Sequence, residues 1–189
     1  MKGLLAFLLI SITPALPHTL SIDYHSHLNG HHARHQVMQK AGTGTPRFES
    51  ATDEMWSYLR KGLTYLESPT PLLPPEAVAP SYIHPDGRGF GAYGFSPEAY
   101  EDVQRLYPYF RAFSWEQVLR SQKLYDLANR ALCDWMLKSL SDLIPANAEK
   151  KEVFTVLHKA WNLGMGGLRK GREVVPSRAR RAAEFLATS

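Results

Sequence analysis

Glu67 stands where a carboxyl group can carry out proton chemistry. The apolar side chains before it recur at helical spacing: Trp56, Leu59, Leu63 and Leu66. They predict a helix from Asp53 to Glu67, capped by Thr52 or Asp53. Glu67 follows Leu63 by four positions and therefore projects from the buried side of the last turn. Apolar surroundings raise the pKa of a carboxyl group, so Glu67 is a candidate proton donor near neutral pH. The alternative is a helix-end carboxylate paired with a lysine or arginine.

The segment after Glu67 is rich in proline and predicts a long ordered loop. Seven prolines fall within residues 68–97: Pro69, Pro71, Pro74, Pro75, Pro80, Pro85 and Pro97. Such a segment cannot be one long helix. A short hairpin is predicted around residues 84–87, and Ser96 caps the helix that begins with Pro97.

The remainder of the chain predicts a mainly α domain without repeats. Ser114 and Gln117 form a capping box for one helix start. Longer helices are predicted over residues 121–140 and 150–163, and a last one from Pro176 to the chain end. The glycines predicted to stop the helix at 163 are Gly164, Gly166 and Gly167.

The N-terminus has the layout of a secretory signal peptide. Lys2 precedes an apolar run from residue 3 to 12, which is too short to span a bilayer. Small residues and prolines follow, which predicts a signal peptide over 1–17 and hence an exported, periplasmic or extracellular protein. A buried core helix is the alternative. No stable membrane insertion is expected after signal removal.

A histidine-rich leader is predicted over residues 18–51, before a domain at 52–189. Its histidine-rich stretch contains His25, His27, His31, His32 and His35. Because Asp23 is the one nearby carboxylate at ligand spacing, a solvated, flexible leader is favoured over a metal site, and no metal or cofactor is expected. Calorimetry with zinc or nickel would separate the two interpretations.

The composition limits the classes of partner. Lysine and arginine number 22 against 18 aspartate and glutamate, and much of the excess lies between Arg169 and Arg181. A solvated helix face explains this cluster better than attraction to an acidic polymer. No nucleic-acid partner is expected, because zinc spacing, aromatic RNA-binding signatures and heptads are missing from the sequence. The single cysteine, Cys133, lies among apolar residues, which favours a buried inert thiol.

Three motifs in order give the chain a resemblance to a known family. They are Glu67-Ser68, the Gly-Ala-Tyr-Gly sequence at 91–94, and Ala-Trp-Asn-Leu-Gly-Met-Gly at 160–166. Their types and spacing resemble the lytic transglycosylases of the lysozyme-like superfamily over roughly residues 53–187. The resemblance implies a lysozyme-like helical fold with an active-site loop, and cleavage of the MurNAc-GlcNAc bond of peptidoglycan glycan strands.

The chain departs from the family pattern at several positions. Pro69 and Thr70 stand where the family has two glycines, and Phe95-Ser96-Pro97 stand where it has Leu-Met-Gln. Trp161 replaces a tyrosine, and Leu163 replaces an alanine. These changes concern contacts to the substrate rather than the position of the acid.

The resemblance assigns roles to particular residues. Glu67 would be the single acid/base, giving 1,6-anhydro-MurNAc ends. Ser68 would hydrogen-bond Glu67 or only begin the loop. Tyr93 and Trp161 would line the sugar groove or belong to the core. Asn162 would anchor an acetamido group or cap its helix.

Two other functions remain open on the same motifs. A hydrolytic muramidase would use Glu67 with a second carboxylate, for which Asp86 is the candidate, although an aspartate before a glycine is favoured as a turn residue. A catalytically inactive peptidoglycan-binding module would bind the wall without releasing fragments. Protein partners are not indicated by the sequence.

Overall fold

The computed structural model describes residues 45–68 and 73–189. The helices, numbered in chain order, are α1 (Asp53–Glu67), α2 (Pro97–Leu106), α3 (Trp115–Leu119), α4 (Gln122–Ser139), α5 (Lys150–Arg169) and α6 (Pro176–Thr188). Short 3₁₀ helices cover Pro75–Ala77, Pro108–Ala112 and Ser141–Leu143. Within the described part of the chain, extended pairing is limited to isolated bridges. The mainly α prediction is therefore confirmed.

Helix α1 forms where the apolar spacing and the cap predict it. The Thr52 hydroxyl accepts a hydrogen bond from the Met55 N–H, and Asp53 and Glu54 favour the positive end of the helix dipole. Its apolar side is buried between α5 and α6, where Leu59 and Leu63 are fully enclosed. Gly62 faces the same side, and an added Cβ there would stand 2.2 Å from the Phe154 ring. This close packing fixes the end of α1, where Glu67 lies.

Residues 82–95 fold into a small double turn beside the end of α1. Bridges join Ile83 to Phe90 and Phe90 to Phe95, and the His84 N–H donates to the Gly89 carbonyl over 2.9 Å. The hairpin predicted around residues 84–87 corresponds to the first of these turns. The turns bring Gly94 back against α1, so the chain returns to Glu67 before α2 begins.

Asp134 on α4 anchors the start of the described structure. Its Oδ1 accepts hydrogen bonds from the N–H groups of Glu49, Ser50 and Ala51 over 3.1, 2.8 and 3.0 Å. Lys138 lies 3.1 Å from the other carboxylate oxygen. Ala51 is fully buried. Residues 49–51 therefore pack as part of the domain, although the sequence analysis assigned them to the leader.

The predicted starts of the later helices agree with their caps. Ser96 caps α2, and Ser114 with Gln117 forms the capping box of α3. Helix α4 occupies the range predicted from residue 121 to 140 within two residues of each bound, and α6 begins at Pro176 as predicted.

The predicted interruption of α5 at the glycines is confirmed at Gly164, but the resumption of the helix beyond it was not predicted. The helix breaks at Gly164, whose φ of 67° and ψ of 158° lie in a region reserved almost entirely for glycine. It then resumes and runs to Arg169, whose guanidinium bonds Asp142 and the Ser139 carbonyl. Trp161 and Asn162 lie just before this break, which turns the helix at the edge of the cleft described below.

The predicted signal peptide and most of the predicted leader, including all its histidines, lie outside the described residues. Among the residues that are described, no helix combines the length and the apolar character needed to cross a bilayer. Cys133 is buried on α4, as predicted, and burial raises the pKa of its thiol.

Candidate active site

Glu67 ends α1 with its side chain enclosed, only 5% exposed. The next residue, Ser68, closes the helix by donating its N–H to the Thr64 carbonyl over 2.8 Å. Gly94 covers the carboxyl group from the double turn. A Cβ at Gly94 would lie 3.1 Å from Glu67 Oε2, closer than most Cβ contacts, and the φ of 64° at this position also favours glycine. The carboxyl is thus held between the helix end and a backbone segment without a side chain.

Arg178 in the first turn of α6 reaches across to the same carboxyl group. Its Nη1 donates to Glu67 Oε1, and also to the Oδ1 of Asn162 over 2.6 Å. The Asn162 carboxamide in turn donates to the His158 carbonyl over 2.9 Å. One guanidinium nitrogen therefore joins α1, α5 and α6 at the acid. The alternative predicted for Glu67, a helix-end carboxylate paired with a lysine or arginine, is therefore seen in its contact with Arg178.

The pKa of Glu67 is raised above its ordinary value. Burial is the largest cause, because it disfavours the charged form. The positive charges of Arg178, His84 and Arg181 oppose that effect without cancelling it. The carboxyl group is therefore paired with a cation and is still easier to protonate than a solvated glutamate. Because it can hold a proton, it can also donate one.

A chain of hydrogen bonds connects the second and third sequence motifs. The Trp161 Nε1–H donates to the Tyr93 carbonyl over 3.1 Å. The Tyr93 N–H donates to the Tyr125 hydroxyl over 3.1 Å, and that hydroxyl donates to the Phe90 carbonyl over 2.7 Å. The rings of Tyr93 and Tyr125 stack with centroids 5.3 Å apart. The double turn is thereby fixed against α4 and α5, and Gly94 with it.

A cleft of about 340 Å³ opens over Glu67. Its walls come from the end of α1, the two turns, the part of α5 just before its break, and the segment that leads into α6. The residues that matter for chemistry are Glu67, His84, Asp86, Trp161, Asn162 and Arg178. A second groove of about 270 Å³ adjoins it, shares Gly94, Ser96 and Trp161, and is more apolar, with Trp135 and Met136. The two depressions therefore border each other at Gly94, Ser96 and Trp161.

Asp86 lies in the first turn and lines the cleft. Its Oδ1 accepts hydrogen bonds from the N–H groups of Arg88 and Gly89, the first over 3.0 Å, as a turn aspartate does. The first of these bonds is the main reason that its pKa is lowered. Asp86 therefore serves the turn and presents an ionised carboxylate to the same cleft as Glu67. The turn interpretation of Asp86 is confirmed by these bonds, and its role as a second carboxylate stays a prediction.

The other predicted site residues divide into two groups. Trp161 and Asn162 line the cleft beside Glu67. Ser68 and Tyr93 are fully buried, so neither side chain offers a surface to a sugar. Of the two alternatives predicted for Tyr93, the sugar groove and the core, the structure has it in the core. Its hydroxyl donates to Asp126 over 2.7 Å. Ser68 contributes its carbonyl, which accepts from Arg181 over 3.2 Å.

Sequence reasoning missed Arg178 and His84. Arg178 was assigned to a solvated basic cluster, yet Ala182 and Phe185 follow it by four and seven positions and are buried. That spacing indicates the inner face of α6. His84 is nearly buried, and its Nε2–H donates to the Gly91 carbonyl over 2.7 Å. Its position before a proline gave no signal for this contact.

No cluster of three or more potential metal ligands occurs within residues 45–68 and 73–189. Comparisons with protein-family models, with curated proteins and with solved structures found no match for this chain.

Proposed function

We propose that this chain cleaves the MurNAc-GlcNAc glycosidic bond of peptidoglycan, with Glu67 as its acid and then its base. The observation that carries the proposal is a buried carboxyl group of raised pKa that opens on a cleft bordered by Trp161 and Asn162. Glycosidic cleavage requires a proton on the leaving oxygen, and a carboxyl group of raised pKa supplies one. The lysozyme-like fold and its active-site loop belong to this proposal.

The proposed reaction needs one carboxyl group. Glu67 donates its proton to the leaving GlcNAc oxygen as the bond to the MurNAc anomeric carbon breaks. The resulting carboxylate then accepts the proton of the MurNAc 6-hydroxyl while that oxygen bonds to the anomeric carbon. The products are a 1,6-anhydro-MurNAc end and a free GlcNAc 4-hydroxyl, and Glu67 is again protonated. The acetamido group of the MurNAc unit stabilises the cation between the two steps.

Trp161 and Asn162 are suited to holding the sugar. The indole is partly exposed at the junction of the two grooves, where a sugar ring can stack on it. The Asn162 carboxamide is oriented by the His158 carbonyl and by Arg178, so its orientation is fixed before substrate arrives. Fixed polar groups cost little reorganisation when the transition state forms.

Hydrolysis with Asp86 is the second candidate function. Asp86 lines the same cleft and stays ionised, as the second carboxylate of a muramidase must. In that reaction a water molecule replaces the 6-hydroxyl, and the product carries a reducing MurNAc end. Asp86→Asn separates the candidates, because it abolishes hydrolysis and leaves the single-carboxyl reaction nearly unchanged.

Product analysis tests the proposal. Purified sacculi are digested with the wild-type chain, and the soluble fragments are examined by mass spectrometry. Anhydro ends support the proposed reaction, whereas reducing ends support hydrolysis. Binding to sacculi without soluble fragments indicates an inactive binding module, for which the Glu67–Arg178 ion pair is the structural argument. The signal-like segment 1–17 supports action outside the cytoplasm.

A further inference from the structure

Arg178 has an unused donor edge beside the acid. Both contacts of its guanidinium, to Glu67 and to Asn162, are made by Nη1. Within the described residues, Nε and Nη2 make no hydrogen bond. The Arg178 side chain is 38% exposed and lines the cleft, whereas the Glu67 side chain is 5% exposed. The Arg178 side chain therefore offers more surface to a ligand in the cleft than the Glu67 side chain does.

The chemistry of that edge favours a carboxylate. A guanidinium presents parallel N–H groups that match the two oxygens of a carboxylate, and the charge strengthens both bonds. A neutral sugar hydroxyl takes one such bond without the charge. The cleft carries charges of both signs, with Asp86, Glu173 and Glu67 beside Arg88 and Arg178, so it has no general excess of positive charge. Selection for a carboxylate would therefore come from the geometry at Arg178 rather than from the general potential of the cleft.

We infer that Arg178 is a specificity residue that binds a carboxylate carried by the sugar substituent of the substrate. This inference rests on the proposed function and narrows its substrate to strands with a free carboxylate close to the scissile bond. The carboxylate can belong to the lactyl group of muramic acid or to the first residue of an attached peptide. Neutral glycans of N-acetylglucosamine lack it.

Binding at this edge also changes the environment of Glu67. In the resting cleft Arg178 donates a hydrogen bond to the Glu67 carboxyl group, and the Arg181 guanidinium and the His84 imidazole also lie near enough to act on it. A substrate carboxylate that shares Arg178 reduces the positive potential at Glu67. The protonated form of Glu67 then becomes more favourable at the moment when a proton must be donated. Binding of a charged substrate thus favours the protonated form of Glu67, which is the form that donates the proton.

A binding experiment tests the inference without requiring cleavage. Calorimetry measures the dissociation constants of N-acetylmuramic acid, its uncharged methylamide and N-acetylmuramyl-L-alanine for the full chain. At least one charged ligand should bind between about threefold and tenfold more tightly than the methylamide, because the guanidinium is partly exposed to solvent. The tighter of the two charged ligands identifies the source of the carboxylate.

Two variants on α6 complete the test. Arg178→Met should remove the preference for the charged ligands. Arg180→Met is the matched control, because Arg180 is exposed on the same helix, does not line the cleft and should retain the preference. Equal binding of all three ligands to the wild type, or a preference that survives in Arg178→Met, overturns the inference.

Failure of this inference is distinguishable from failure of the proposed function. If the wild type cleaves sacculi but shows no preference for the charged ligands, only the role inferred for Arg178 is contradicted. A charge preference that depends on Arg178, together with unchanged lysis by Glu67→Gln, keeps the binding site and removes the catalytic role of Glu67.

Discussion

Gly94→Ala would press a methyl group against the acid. Gly94 has a φ of 64°, and the added Cβ would stand 3.1 Å from Glu67 Oε2 and 3.4 Å from its Cβ and Cγ. Ordinary contacts with a Cβ are longer than the first of these distances, so the carboxyl group has to move by a few tenths of an ångström. A displacement of about 1 Å costs a catalytic group roughly a hundredfold in rate, so we expect a loss of about tenfold.

The backbone strain of this substitution has a matched control. Gly171 has a φ of 66°, and an added Cβ there would meet nothing within 4 Å. Alanine in the left-handed region costs about 1 kcal/mol at either position. For a domain of this size that cost lowers the melting temperature by about 4 °C in both variants. The variants therefore differ in their effect on Glu67 and not in their backbone strain.

The assay compares rates of release of soluble fragments from sacculi, alongside thermal unfolding of each variant. Gly94→Ala should lose activity, and Gly171→Ala should keep it within about twofold at temperatures well below unfolding. If Gly94→Ala cuts as fast as Gly171→Ala, the contact between Gly94 and the carboxyl group has no catalytic importance. The position assigned to the acid would then be refuted.

The remaining predictions concern pH, anchoring and packing. Because the pKa of Glu67 is raised, the stability that this residue contributes is present at low pH and is lost as pH rises through that pKa. Activity should fall over the same pH range, since the proton donor is lost. Arg178→Met removes a charge that opposes the raised pKa, and it should therefore move the alkaline limb of the pH–activity profile to higher pH. Asp134→Ala should lower the free energy of unfolding by about 3 kcal/mol in urea denaturation, since three backbone N–H groups lose their acceptor, and a smaller loss than about 1 kcal/mol would contradict the anchoring. Gly62→Ala should destabilise by about 1 to 3 kcal/mol, because its Cβ overlaps the Phe154 ring; an unchanged melting temperature would contradict that packing.

The pH dependence of Asp134 has the opposite sign to that of Glu67. Burial opposes the charge of Asp134, but the N–H groups of Ala51 and Ser50 and the Lys138 ammonium outweigh it and lower the pKa. The stability from Asp134 is therefore present above the ordinary pKa of an aspartate and is lost as pH falls through the lowered value. Acid unfolding that starts at the same pH in wild type and Asp134→Ala would contradict this assignment.

Local signals made the helices predictable. Caps and apolar spacing act within a few residues, and so Thr52, Ser96 and Ser114 marked helix starts that the structure retains. The continuation of α5 beyond Gly164 was not predictable in this way. Arg169, at the end of that continuation, bonds Asp142 and the Ser139 carbonyl, 27 and 30 positions earlier in the chain, and contacts at such a distance leave no local signal.

The candidate site was predictable only in part, for the same physical reason. Glu67 and Trp161 could be singled out because helical periodicity and motif order are sequence properties. The partner of Glu67 could not, because Arg178 lies 111 positions away and belongs to a basic cluster that resembles a solvated face. The burial of Tyr93 likewise depends on Tyr125, which the fold brings from α4.

Digestion of sacculi by wild type and Glu67→Gln, side by side, tests the catalytic role of Glu67 most directly. Glutamine keeps the size of the side chain and an oxygen that accepts from Arg178, and it removes a buried charge, so the variant should melt within about 2 °C of the wild type or above it. We expect the folded variant to release no soluble fragments, because an amide cannot donate the proton. Lysis by Glu67→Gln at the wild-type rate would contradict the account.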